Sequence, residues 1–208
     1  MVNYMAKTLR RISQALFLLL FTLLVFKGKI QVWMGIFLAS LTLTLFLGRF
    51  YCGWLCPINK VMNLITKIKK KFRIKSLSVP ESIKNPIYRY IILAGFIFTF
   101  VFVMVSGKKL PVLPGLLTTG ILLTLFFPES LWHRYLCPYG TILHIVGKFS
   151  KRSYSIIDEL CISCGICYRV CPSEAVEKNK GNYMITRWEC LLCGKCAGKC
   201  PKKAIKYQ

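Results

Sequence analysis

Four long apolar runs restrict what this chain can fold into: Ile12–Phe26, Ile30–Leu47, Ile87–Val105 and Leu110–Phe127. The only charge inside them is Arg89, near the start of the third. One such run could be the core helix of a soluble protein. Four in 208 residues leave too little polar chain to cover them, so the expected architecture is a polytopic α-helical membrane domain with four spans. The first run is the shortest. As a helix it is about 22 Å long, so flanking Lys and Arg must snorkel to bridge a hydrocarbon core of about 30 Å. Basic residues precede it, but Lys27-Gly28-Lys29 follows where a signal peptide would carry a small-residue cleavage site. The run is therefore expected to be an uncleaved anchor.

Composition enters through charge. The chain is 55% hydrophobic yet carries 30 Lys and Arg against 7 Asp and Glu, a net charge of +23. Disorder is excluded, and a soluble enzyme rarely combines such oiliness with such charge. The basic residues are not spread evenly. Arg49, Lys60, Lys67, Lys69–Lys71, Arg73, Lys75 and Lys84 lie between the second and third runs, whereas only Lys27 and Lys29, or Lys108 and Lys109, separate the other pairs. Heavy and light segments alternate, which places both termini in the cytoplasm and the protein in the cytoplasmic (inner) membrane as a multi-pass protein. Ile58, Val61, Met62, Leu64, Ile65, Ile68 and Phe72 alternate with the lysines of the stretch Lys60–Lys75, as an amphipathic helix lying on anionic lipid would. Topology accounts for the charge and leaves no role for nucleic acid. Trp33, Trp54 and Trp132, with Tyr51, Tyr135 and Tyr139, read as interfacial anchors.

The expected domains are a membrane domain over 1–152 and a small soluble domain over 153–208. Most of the 11 cysteines fall in the second. Cys161-x-x-Cys164-x-x-Cys167-x-x-x-Cys171-Pro172 recurs further along as Cys190-x-x-Cys193-x-x-Cys196-x-x-x-Cys200-Pro201. Three closely spaced thiolates hold one face of a four-iron cubane, and the fourth cysteine of each run serves the other cluster. The spacing assigns Cys161, Cys164, Cys167 and Cys200 to one [4Fe–4S] cluster, and Cys190, Cys193, Cys196 and Cys171 to a second. Structural zinc uses paired CxxC ligands rather than triplets followed by Cys-Pro. Disulfide-stapled secreted domains lack such apolar runs.

The membrane half repeats too. Arg49-Phe50-Tyr51-Cys52-Gly53-Trp54-Leu55-Cys56-Pro57 follows the second run, and Leu131-Trp132-His133-Arg134-Tyr135-Leu136-Cys137-Pro138 follows the fourth. Superposing the Leu-Cys-Pro triplets matches Cys56 with Cys137 and Cys52 with His133. Residues four apart share a helix face. Cys52, Cys56, Cys137 and His133 could therefore supply four ligands to a third iron–sulfur or metal centre at the cytoplasmic membrane edge, the alternative being that they are small buried residues. His144 aligns with Asn63 and reads as interfacial. A quinone pocket could form beside Trp54, Arg49 or Arg134. There is no nucleophilic triad, phosphate loop or carboxylate pair, so no catalytic residue is assigned.

Residues 155–208 closely resemble bacterial two-cluster ferredoxins, which implies a one-electron carrier with a small pseudo-twofold α+β fold. The stretches Tyr51-Cys52-Gly53-Trp54-Leu55-Cys56-Pro57 and Arg134-Tyr135-Leu136-Cys137-Pro138-Tyr139-Gly140 resemble the paired CxxxCP motifs of NapH- and NosR-type membrane ferredoxins. That resemblance runs from about residue 30 to the C-terminus. It implies an electron-transfer subunit, rather than a complete enzyme, that passes electrons from menaquinol or ubiquinol toward a reductase system. The partners it implies are the lipid bilayer, the quinone pool and other redox subunits of a membrane complex. CcoG-type assembly proteins look similar over the same motifs, so metal handling during oxidase assembly is the alternative role, and redox sensing a third. Two departures stand out: His133 replaces a cysteine of the second CxxxCP, and the large periplasmic flavin domain of the NosR kind is missing.

Overall fold

The structure is a computed structural model that describes residues 2–106, 112–179 and 181–208. Lys108 and Lys109, and the first residues of the fourth apolar run, Leu110 and Pro111, lie outside the described residues. The chain divides into two compact units, Met1–Pro57 with Leu143–Gln208, and Ile58–Ile142.

In the first unit, α1 (Val2–Phe26) and α2 (Gln31–Leu47) are joined by a turn through Gly28, and α2 stops at Gly48 with φ 75°. The short α3 (Phe50–Trp54) follows. Trp33 joins the three. Its ring lies edge-on to Phe17 and Phe21 at 6.3 and 5.1 Å, and its Nε1 donates to the Tyr51 hydroxyl at 2.9 Å. Polar side chains of α1 serve carbonyls that α3 is too short to satisfy: Gln14 Nε2 donates to Gly53 O at 2.7 Å and Ser13 Oγ to Trp54 O at 3.2 Å.

The C-terminal part of this unit holds a pair of two-stranded antiparallel sheets. β1 (Tyr154–Ile156) pairs with β4 (Ile205–Tyr207), and β2 (Val176–Asn179) with β3 (Asn182–Ile185). A short helix, Ile166–Val170, follows the first cysteine loop. The repeat of the two cysteine runs is also a repeat of backbone shape. Ser163 and Leu192 have φ of 50° and 52°, Gly165 and Gly194 69° and 60°, and Glu174 and Lys203 both 52°. Non-glycine residues rarely adopt such values. Strained positions that recur at equivalent places in both runs mark loops built to a common template.

The second unit contains α4 (Pro57–Lys71), α5 (Pro86–Ser106), α6 (Val112–Phe126), a π-helical turn over Leu131–Leu136 and the start of α7 (Pro138–Gly147). Pro57 and Pro138 occupy first helical positions, where a missing N–H costs nothing. Val79, Leu131 and Tyr135 form its core with Leu123 and Phe127. The sequence places the lysines of α4 in lipid headgroups, and Lys70 and Lys71 are exposed beside an exposed stripe of Leu64, Ile68 and Phe72. Lys69 differs: it is buried, and its Nζ donates to Thr124 O at 3.0 Å and Phe127 O at 3.5 Å. It caps the last carbonyls of α6, where a cation also meets the negative end of the helix dipole. Burial lowers its pKa.

Two helical segments are long and apolar enough to cross a membrane, Lys7–Phe26 and Pro86–Ser106, each only 11% buried. A core helix would be covered; here Phe26, Phe98 and Val105 are 84%, 73% and 84% exposed. Apolar surface on that scale suits lipid better than water. The other two apolar helices, α2 and α6, have 17 and 15 residues and fall short of that length.

Candidate iron–sulfur site

Cys161, Cys164, Cys167 and Cys200 line one hollow of the ferredoxin-like part. Cys164 is exposed and the other three are half-buried. Cys171, from the first run, lies instead with the second. It packs against Cys190 and Leu192, and its sulfur is close enough to Cys190 and Cys196 to raise both thiol pKa values. Burial is the larger cause there: it pushes the Cys190 thiol up to about 12, with help from Cys193 and then Cys171, and drives Cys196 up as well. Cys193 is raised for the same reason, with Lys195 opposing. The structure thus groups the eight cysteines in two sets of four, with the last cysteine of each run in the other run's set.

The donor chemistry fits four-iron clusters. Cys171 Sγ accepts from the Ala175 amide at 3.2 Å, and Cys200 Sγ from the Ala204 amide at 3.4 Å, the equivalent bond in the second run. Hydrogen bonds to the ligating sulfurs are among the factors that set a cluster's potential. Among the described residues, no three His, Cys, Asp or Glu side chains converge as a site for a single metal ion. A tetrahedral zinc would need thiolates about 2.3 Å from one centre. A cubane takes one thiolate at each of four separate iron corners, so thiols spread round a hollow match it better.

The two CxxxCP corners are alike in backbone. Cys56 N–H donates to Tyr51 O at 2.9 Å and Cys137 N–H to Trp132 O at 2.9 Å, two wide i→i−5 turns at matched positions of the membrane repeat. Turns of this kind often occur at functional sites. Cys52 is buried on α3 and Cys56 half-buried just beyond it, both in the first unit. His133 and Cys137 are buried in the second, where the Cys137 sulfur accepts from the Gly140 amide at 3.3 Å.

One constellation is missing from the sequence reading. His144 lies buried rather than interfacial. Its Nδ1 is 3.0 Å from Glu189 Oε1, and Arg49 Nη1 is 3.3 Å from Glu189 Oε2. Arg49, His144 and Glu189 are 1%, 6% and 4% exposed. Arg49 also donates to Trp188 O at 3.1 Å and reaches Cys52 Sγ at 3.9 Å, while Ser173 Oγ donates to Glu189 O at 2.9 Å. Removing one member of a buried ionic set typically costs about 3–5 kcal/mol, because it leaves an uncompensated charge. The usable signal was Glu189 itself, one of only seven acidic residues and directly before Cys190.

Comparison with known proteins agrees with this geometry. A family described as "4Fe-4S binding domain" matches residues 29–75 and again 110–156, one match on each copy of the membrane repeat, and a "4Fe-4S dicluster domain" matches 160–205. An uncharacterized protein of Methanocaldococcus jannaschii is 31% identical over 140 residues, 65% of this chain and 56% of that protein. YccM of Escherichia coli, named for electron transport, is 27% identical over 163 residues, 67% and 46% of the two chains. The ferredoxin-type protein NapH of Escherichia coli is 26% identical over 141 residues, 62% and 49%. The chain spans about half the length of these three relatives. No solved structure matches it. Fold, site and comparisons define a 4Fe-4S-binding protein with a C-terminal dicluster ferredoxin domain. Within that class it is a homologue of the ferredoxin-type proteins of the NapH and NosR kind.

Proposed function

We propose that the chain is the membrane-bound electron-transfer subunit of a larger redox complex, passing electrons between the quinone pool and a partner oxidoreductase. Residues 1–152 form its membrane domain, all four apolar runs span the bilayer of the cytoplasmic membrane, and both termini face the cytoplasm. The ferredoxin domain over 153–208 holds two [4Fe–4S] clusters, one through Cys161, Cys164, Cys167 and Cys200, the other through Cys171, Cys190, Cys193 and Cys196. Each cluster supplies a reversible one-electron site. The chain's own residues position the thiolates, stabilise them with the Ala175 and Ala204 amides, and exclude water most fully around Cys190 and Cys196. Cys52, Cys56, Cys137 and His133 hold a third centre, a reading supported by the two wide turns and by the family matches that cover both corners.

The observation that carries the proposal is the sorting of eight cysteines into two sets of four across the two runs. The test uses full-length protein in lipid nanodiscs, reduced with dithionite and freed of excess reductant. Decylubiquinone should reoxidise the iron–sulfur absorbance rapidly, and the same protein in which a soluble anionic quinone is the only oxidant should react more slowly. Reoxidation that ignores lipid solubility would refute the quinone link.

A further inference from the structure

Two sets of four thiols raise the question of which faces the membrane, and their surroundings differ. The loop Cys190–Cys196 is pressed against the helices of the membrane domain. A Cβ on Gly53 of α3 would collide with Leu191 O, and one on Gly48 would lie 3.4 Å from the Leu192 side chain. Trp54 Nε1 donates to Leu192 O at 3.3 Å, and Phe50 packs on Cys190 and Leu192. Arg10 of α1 stands beside Gly194 and influences Cys193. The loop Cys161–Cys167 has contacts of another kind. Ser163 Oγ donates to Asn182, Gly165 packs on Tyr183, and Tyr168 meets the same ring, all within the ferredoxin part. Cys164 is exposed, and Leu160 and Ile162, which line the same hollow, are 46% and 56% exposed.

A polar chain crosses the membrane-side contact. Cys52 Sγ of the first CxxxCP corner touches Arg49, Arg49 binds the Glu189 carboxylate and the Trp188 carbonyl, and Glu189 adjoins Cys190. The Glu189 carbonyl accepts from Ser173, whose hydroxyl lies 3.7 Å from Cys171 Sγ. Glu189 therefore meets both ends of one thiol set, and Arg49 ties it to the corner. His144 holds the second carboxylate oxygen.

We propose that the buried Arg49–Glu189–His144 network makes the Cys171/Cys190/Cys193/Cys196 set the one that exchanges electrons with the membrane, and leaves the Cys161/Cys164/Cys167/Cys200 set to exchange with a soluble redox protein. This rests on the two-cluster reading above. For each two-electron oxidation of a membrane-soluble quinol to quinone, two protons pass to water. The two electrons enter singly at the first of these sets and leave singly from the second to a soluble one-electron acceptor, which is reduced. Arg49, Glu189 and His144 are positioning residues: they fix the Cys190 loop on α3 and set the local charge around it.

The experiment compares full-length chains in nanodiscs, reduced and then oxidised by decylubiquinone or by soluble cytochrome c. Cys164→Ser removes the outer centre, and Cys193→Ser the inner one. The quinone rate should stay within tenfold of native in Cys164→Ser and fall more than tenfold in Cys193→Ser, and the cytochrome rates should show the reverse. Equal losses, or the opposite pattern, would overturn the assignment. Should either variant fail to assemble, redox titration followed by electron paramagnetic resonance decides instead. Glu189→Gln should raise, and Arg49→Gln lower, the potential of one centre alone, since a nearby negative charge resists reduction and a positive charge assists it. Arg49→Lys should restore most of the native value. Both potentials moving together, or neither moving, would refute the network's role. Absence of any iron–sulfur signal in the unmodified chain would instead refute the two-cluster reading.

Discussion

Gly53→Ala is the sharpest perturbation of the contact between α3 and the ferredoxin loop. The added methyl would collide with Leu191 O and sit 3.2 Å from Leu192 C and 3.3 Å from Leu191 C. All three are backbone atoms, so no side chain can swing aside, and the loop itself must retreat. Leu191 and Leu192 are 1% and 5% exposed and would lose packing as it moves. Overpacking of this kind costs about 1–3 kcal/mol. The upper half of that range is expected, offset by the roughly 0.5–1 kcal/mol that Ala gains over Gly in a helix. Gly35→Ala on α2 is the matched control: nothing lies within 4 Å of its would-be Cβ, so only the helix gain remains. Denaturant unfolding in detergent measures both, and hydrogen exchange at Leu191 and Leu192 locates the damage. Gly53→Ala as stable as Gly35→Ala, with unchanged exchange at those amides, would refute the reasoning.

Cys171→Ser should damage the centre served by Cys190, Cys193 and Cys196 and spare the one served by its own run; electron paramagnetic resonance of the reduced variant reads which signal disappears. Lys69→Ala strips the cap from α6 and leaves buried carbonyls unpaired, a loss of about 1–3 kcal/mol, whereas exposed Lys70→Ala should stay within about 0.5 kcal/mol of native in the same unfolding assay. A phosphatase fused at Gln208 should be inactive and a fluorescent protein fused there bright; the reverse would overturn the cytoplasmic placement of the ferredoxin domain.

The two repeats were legible from letters alone, because ligand spacing and turn residues are local. The repeat of the cysteine runs reappears as matched positive-φ positions at Ser163 and Leu192, and the CxxxCP repeat as matched wide turns ending at Cys56 and Cys137. Of the apolar runs, two lie in helices long enough to span; α2 closes at Gly48, and α6, described from Val112, closes before Phe127-Pro128. The Arg49–Glu189–His144 set was not legible. Arg49 and His144 both lie far from Glu189 in the chain, and each alone looks like an ordinary interfacial charge. Lys69 was hidden for a related reason: one lysine among many turns inward only because α6 presents its last carbonyls there. Local pattern fixes ligands and turns, whereas buried charge pairs depend on tertiary placement.

The most direct test of the account is iron and acid-labile sulfide per chain in anaerobically purified full-length protein. The two ferredoxin sets predict about eight of each, with interacting fast-relaxing signals on reduction. A further increment that disappears in Cys56→Ala would mark the third centre. A chain that holds stoichiometric zinc, or no iron at the eight ferredoxin cysteines, would contradict an iron–sulfur electron carrier.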